Sequence, residues 1–108
     1  MIHPVATAIE LPSQQIEELC RRRGVRRLAV FGSVLRADFR PESDVDFLVE
    51  FEAGAEKPWA SHYSELREEL ERLLGRAVEV VDWVAVERSR NPYRRYGILS
   101  TKRLLYAA

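Results

Sequence analysis

The sequence contains a single cysteine, Cys20, and only two histidines, His3 and His62. One cysteine excludes a disulfide within the chain and a cluster of thiolate metal ligands. Neither histidine lies at metal-ligand spacing from another histidine, a cysteine or a carboxylate, so we interpret both as surface or structural residues. Cys20 falls on the apolar side of a predicted helix and is expected to be a small core residue.

An excess of one charge and a long apolar run are also missing. Seventeen basic and seventeen acidic side chains give a formal net charge of zero, which argues against binding duplex nucleic acid through bulk charge. The apolar runs are far shorter than the roughly 20 residues that cross a bilayer, and the first residues lack the charged region of a secretory signal. We expect a cytoplasmic protein without a membrane partner, and nucleic acid is disfavoured as its direct substrate.

The length and composition indicate one folded domain. A chain of 108 residues is too short to bury two independent cores. Its 46% hydrophobic and 31% charged residues are ordinary for a globular protein. We therefore expect a single domain over residues 1–108, in which residues 1–10 form a flexible arm.

Apolar periodicity and turn residues predict helices on a small sheet. Ser13 is expected to cap a first helix that Gly24 ends, and residues 27–31 form a buried strand that enters a tight turn. Residues 34–43 are interpreted as a turn or one short helix. The pattern then predicts a strand over 45–51, a helix over 59–74, a strand over 77–81 and a last helix that begins at Asn91 and carries Ile98, Leu99, Leu104 and Leu105. This order indicates an α+β (α/β-like) domain with one small mixed sheet flanked by helices.

The most informative pattern is Gly32-Ser33, followed ten residues later by Asp44 and Asp46. Glycine lets the backbone approach an anion closely, and a serine that opens a helical turn adds a hydroxyl and an oriented N–H for phosphate. Residues two apart on a strand point to the same face, so Asp44 and Asp46 can converge on one site. Paired carboxylates need cations, and hard oxygen ligands favour Mg²⁺ or Mn²⁺. The pattern predicts a site for a metal and a triphosphate.

This segment resembles the signature of the polymerase-β-type nucleotidyltransferases, and the short chain is similar to their minimal (MNT) group. The likeness extends to residues 43–51, 74–81 and 91–99 and covers most of the chain from about Leu11 onward. Ala37 stands where the group usually has glycine. The resemblance implies the polymerase-β-type nucleotidyltransferase fold.

Such a site takes a third carboxylate from the neighbouring strand, which leaves Glu79 and Asp82. Glu79 occupies the position of the group's usual aspartate, and a charge between β-branched residues in mid-strand needs a partner or a metal. Asp82 lies at the end of the strand, where capping a helix would explain it. We therefore predict Asp44, Asp46 and Glu79 as catalytic residues and as ligands of two Mg²⁺ ions, with Mn²⁺ as the alternative metal.

Gly32, Ser33 and Arg36 are predicted to hold the β and γ phosphates of the nucleotide. For Arg36 an alternative stays open, because an exposed salt bridge with Asp38 or Asp44 would explain it equally well.

The resemblance also implies a reaction and a partner. Many members of the group are antitoxins that inactivate a helical HEPN-type ribonuclease toxin by adenylylating a tyrosine. We therefore expect metal-dependent transfer of AMP from ATP, or from another nucleoside triphosphate, to a tyrosine hydroxyl of such a partner. Two alternatives remain: a non-catalytic toxin-binding module with a vestigial site, and nucleotidyl transfer to a small molecule or RNA. A homodimer also stays open.

Two groups of arginines stand out. The first cluster comprises Arg21, Arg22, Arg23, Arg26 and Arg27, and the second comprises Arg88, Arg90, Arg94 and Arg95. Each is interpreted either as ordinary solvated charge or as a docking surface for an acidic partner or RNA. Tyr93 and Tyr96, which lie among the second cluster, are expected to pack against the domain.

Overall fold

The structure, a computed structural model, describes residues 1–54 and 59–108, and for residues 59 and 60 only the backbone. Its elements are α1 (Ser13–Arg23), β1 (Val25–Phe31), a 3₁₀ turn (Gly32–Leu35), β2 (Val45–Phe51), α2 (Trp59–Leu74), β3 (Val78–Asp82), α3 (Trp83–Glu87), α4 (Pro92–Leu99) and β4 (Arg103–Ala107). The α+β prediction is confirmed. No helix in the described ranges is long and apolar enough to cross a bilayer.

The four strands form one mixed sheet in the order β3-β2-β1-β4. β1 pairs antiparallel with both β2 and β4, whereas β2 and β3 are parallel. The parallel pair follows from its connection, because α2 carries the chain back across the sheet between β2 and β3. The sheet therefore brings the start of β2, the start of β3 and the end of β1 to the same edge.

Each face of the sheet buries its own apolar cluster. Alternate residues of β2, Val45, Phe47 and Val49, pack with α1 and α2 in the larger core. Leu48 points the other way and packs with Trp83 and Val86 of α3. Because strand side chains alternate, Asp46 lies on the α3 side of the sheet, outside the larger core.

The first helix begins one residue earlier than its cap pattern indicated. Pro12 is its N-cap, and the Pro12 carbonyl accepts a hydrogen bond from the backbone N–H of Ile16 at 3.0 Å. Ser13 is therefore the first helical residue, and its prediction as the cap is wrong. Gly24 ends the helix in the left-handed conformation, as predicted. Cys20 is buried in the core, also as predicted.

The last predicted helix is divided. Asn91 does cap α4, since its side chain accepts from the backbone N–H groups of Tyr93 and Arg94. The helix ends at Leu99, however, and the assignment of Leu104 and Leu105 to it is wrong, because both lie in β4. The physical reason is the otherwise open edge of β1, whose backbone groups β4 satisfies along an antiparallel ladder.

The sequence predicts a flexible arm over residues 1–10, and the first three of these residues lie along the outer side of β4. Ile2 forms a bridge with Tyr106, and the backbone N–H of His3 donates to the carbonyl of Leu105 at 2.7 Å. Ile2, Val5 and Ile9 pack against the larger core. The segment thus covers the edge of β4, which composition alone does not indicate.

Candidate active site

At the edge where β1 ends and β2 begins, the backbone of Gly32 lies close to the carboxylate of Asp46. β1 leads at Phe31 into Gly32, which has φ +78° and opens the 3₁₀ turn that carries Ser33. A Cβ atom placed on Gly32 would collide with Oδ2 of Asp46. Only glycine meets both requirements, the left-handed backbone and the missing side chain.

Asp46 and Glu79 stand side by side on neighbouring parallel strands, as Cα partners in the ladder between β2 and β3. Their side chains share a face and form a hydrogen bond. Burial, together with the negative charges of Glu79 and Asp44 and the hydrogen bond with Glu79, raises the pKa of Asp46 to about 6, and the charge of Arg36 opposes this shift. A carboxyl pair that keeps a shared proton up to about pH 6 is a place where a cation can substitute for the proton.

Asp44 lies just before β2 and is exposed, close enough for its charge to act on Asp46. In the ranges 1–54 and 59–108, no three acidic, histidine or cysteine side chains already surround a single point as metal ligands would. The assembled part is the Asp46–Glu79 pair, with Asp44 beside it. Carboxylate oxygens of this kind fit a hard divalent cation.

Asp82, the alternative third carboxylate, has a structural role at the end of β3. Its side chain caps α3 by accepting from the backbone N–H of Val84 at 3.1 Å. It also accepts a hydrogen bond from the hydroxyl of Tyr63. An odd separation along a strand reverses the face, so Asp82 points away from Asp46 and Glu79.

The side chain of Arg36 is exposed, and its Nε donates to Oδ1 of Asp38 at 3.1 Å. The salt bridge that we considered is therefore present, with Asp38 as the partner. Exposed pairs of this kind are worth about 0–1 kcal/mol, so the guanidinium is readily available to a phosphate.

The cleft beside Gly32 has a volume of about 670 Å³. One wall carries Phe31, Leu35 and Arg36, and the other carries Ile98, Thr101 and Arg103 from the region where α4 passes into β4. The second wall was not predicted, because the sequence pattern was interpreted as one continuous helix through residues 100–103, whereas α4 ends at Leu99 and β4 begins at Arg103. The cleft adjoins the carboxylate pair through Gly32 and is large enough for a nucleoside.

The first arginine cluster has acidic neighbours. In the first cluster, Arg22 and Arg23 contact Glu69, and Arg27 contacts Glu50. Arg21 and Arg27 make further pairs with Glu17 and Glu87. Most of this cluster is therefore ordinary charge that neighbouring glutamates neutralise.

Tyr93 and Tyr96 do not pack against the domain as expected. They are 87% and 74% exposed, and none of the residues of α4 is buried. The reason is that α4 contacts the smaller core only through its end, at Ile98 and Leu99.

Comparison with known protein families finds a match over most of the chain. The model of the nucleotidyltransferase domain family matches residues 12–105. Among characterised relatives, the protein adenylyltransferase MntA of Thermococcus cleftensis is 48% identical over 65 residues. That alignment covers 60% of this chain and 63% of MntA, so the chain spans less than two thirds of that relative's length.

Solved structures have the same fold. One structure, assigned to the minimal nucleotidyltransferases, superposes with a TM-score of 0.64 at 36% identity and covers 84% of this chain and 86% of that one. Another, tri-AMPylated Shewanella oneidensis HEPN toxin in complex with MNT antitoxin, gives a TM-score of 0.55 at 20% identity, with 89% and 70% covered. At that identity the likeness supports the fold alone.

Proposed function

The chain belongs to the nucleotidyltransferase domain family, and from that premise we propose that it transfers AMP from ATP to a tyrosine hydroxyl of a protein partner. The partner is a HEPN-type toxin, and the chain acts as its antitoxin. The observation that carries this proposal is the contact of Gly32 with Asp46, beside Glu79. It joins the phosphate-binding turn and the carboxylates in one site.

Proteins of this family generally use divalent metal ions. We propose that Asp44, Asp46 and Glu79 hold two Mg²⁺ ions, or Mn²⁺ in their place. When bound, the ions would offset the negative charge of the triphosphate and of the transition state. The raised pKa of Asp46 supports this assignment, because a cation relieves the repulsion that disfavours its ionised form.

The donor nucleotide binds along the 3₁₀ turn. The backbone at Gly32, the hydroxyl of Ser33 and the guanidinium of Arg36 hold the β and γ phosphates, and the cleft between Leu35 and Ile98 receives the nucleoside. Anchoring of this kind fixes the α phosphorus near the carboxylates, which lowers the entropic part of the barrier.

The reaction is an in-line displacement at the α phosphorus. The acceptor oxygen forms a bond to that phosphorus while the bond to the bridging α–β oxygen breaks, and pyrophosphate leaves with its electron pair. Glu79 orients the acceptor hydroxyl and accepts its proton. Glu79 is exposed, so an acceptor from a second protein can reach it.

Two related proteins support the proposed acceptor and partner. MntA of Thermococcus cleftensis is a protein adenylyltransferase, and the Shewanella oneidensis complex contains an AMPylated HEPN toxin. A cytoplasmic location fits this activity, since ATP is present there. The alternatives are a toxin-binding module without catalysis, and transfer to a small molecule or RNA.

The test is co-expression of the chain with a HEPN-type toxin from a neighbouring gene. We expect the wild type to restore growth and to leave AMP on a toxin tyrosine, detected by mass spectrometry. Asp46→Asn should lose both effects while still folding. Restored growth with unmodified toxin would instead support the non-catalytic module, and label on RNA alone would support the other alternative.

A further inference from the structure

The second arginine cluster lacks the acidic neighbours that neutralise the first. Its members are Arg88, Arg90, Arg94 and Arg95, and all four are exposed. Within the residues that the structure describes, none of them forms a salt bridge, and the guanidinium of Arg95 donates to the backbone carbonyl of Ser89. Positive charge is thus concentrated at α4 and the loop before it.

Two exposed aromatic rings lie within this basic region. Tyr93 and Tyr96 are three residues apart on α4, so their side chains lie on one side of the helix. Tyrosine and arginine are the residue types enriched in the energetically important parts of protein interfaces. We call Tyr93, Arg94, Arg95 and Tyr96, with Arg88 and Arg90, the α4 surface.

The α4 surface continues toward the candidate active site. The end of α4, at Gly97 and Ile98, lines the same cleft as Gly32 and Arg36. A macromolecule that covers the first turns of α4 therefore lies next to the donor nucleotide. An acceptor protein needs such a position, because its hydroxyl must approach the α phosphorus.

We propose that the α4 surface docks an acidic segment of the protein acceptor, a proposal that rests on the function given above. Because the α4 surface is positively charged, charge complementarity favours a negatively charged partner. A protein is favoured over RNA because the first cluster is largely neutralised by Glu65, Glu69 and Glu50. The first cluster therefore adds little free positive charge to the α4 surface, whereas binding along a phosphate backbone requires an extended basic groove.

The docking can be measured without catalysis. The probe is a dye-labelled random copolymer of glutamate and tyrosine, titrated with the full chain in the absence of ATP and metal. A lysine–tyrosine copolymer is the probe of opposite charge, and a labelled single-stranded RNA is the third. The variants are Arg94→Glu and Tyr96→Ala on α4, with Arg72→Glu as the control for the charge change, since Arg72 is exposed near the end of α2.

We expect the wild type to bind the glutamate–tyrosine copolymer, and added salt to weaken that binding. Arg94→Glu should raise the dissociation constant about tenfold and Tyr96→Ala about fivefold, whereas Arg72→Glu should change it less than about twofold. Thermal unfolding of each variant checks that it folds.

Three results would overturn the proposal: no binding of the acidic copolymer, equal effects of Arg94→Glu and Arg72→Glu, or tighter binding of RNA that Arg94→Glu abolishes. None of them bears on AMP transfer, which is measured separately with the toxin. Docking can therefore fail while the proposed function stands, and the reverse also holds.

Discussion

Replacement of Gly32 by alanine tests whether the proposed phosphate-binding turn and the carboxylates form one unit. The φ of +78° costs an alanine roughly 1–2 kcal/mol. The new Cβ would also meet Oδ2 of Asp46 and push that carboxylate off its rotamer, which adds about 0.5–1.5 kcal/mol. We therefore expect a total loss of about 1.5–3.5 kcal/mol in the free energy of unfolding.

Gly75→Ala is the matched control. Gly75 has φ +67° and no atom near the position of a Cβ, so the variant carries the backbone strain without the collision. Thermal unfolding should show both variants destabilised, with Tm lowered by about 4–8 °C for each kcal/mol. The extra loss in Gly32→Ala should disappear when Asp46 is also replaced by alanine, because the colliding oxygen is then gone.

Activity separates the two variants more sharply. Displacing a reacting group by about 1 Å costs roughly 100-fold in rate, so Gly32→Ala should lose at least that much AMP transfer, while Gly75→Ala retains it. Equal stability and equal activity of the two variants would refute the close approach of Gly32 to Asp46.

Three further predictions concern single side chains. Glu79→Gln should lower AMP transfer about 100-fold or more and leave ATP binding largely unchanged, whereas Asp82→Asn should change the rate little and cost at most about 1 kcal/mol of stability, because asparagine also caps helices; kinetics that rank the two variants the other way would contradict the assignment. Mg²⁺ with ATP should raise the Tm of the wild type but not of Asp44→Asn, and an unmoved wild-type curve would count against the donor site. Burial raises the pKa of Cys20 to about 12, so at pH 8 its thiol stays protonated and a maleimide should label it only on unfolding; rapid labelling of the native chain would disprove this.

Periodicity was sufficient to predict the elements whose sequence patterns are long or unambiguous. The strand Val45–Phe51 and the helix Trp59–Leu74 have the predicted bounds. The β-branched and aromatic residues of the first and the broad apolar face of the second each fit one type of secondary structure. The helix Trp83–Glu87 was missed, since five residues carry too little periodicity. β4 was missed because pairing with a distant strand, and not its own sequence, decides the conformation of Leu104 and Leu105.

The candidate site could be predicted in type but not in arrangement. The spacing from Gly32 to Asp46 identified the two halves, and the register now explains why Glu79, and not Asp82, lies beside Asp46. The second wall of the cleft, at Thr101 and Arg103, depends on where α4 ends, which a residue pattern does not reveal. The exposure of Tyr93 is likewise a tertiary property, because it follows from α4 contacting the core only through its end.

The most direct measurement of the central claim compares two labels on the same nucleotide. The purified chain and the proposed toxin partner are incubated with Mg²⁺ and ATP that carries the label in either the α or the γ phosphate. AMP transfer predicts label on a toxin tyrosine from α-labelled ATP only, and none with Asp46→Asn. Label from γ-labelled ATP, or α label that persists in Asp46→Asn, would contradict the account.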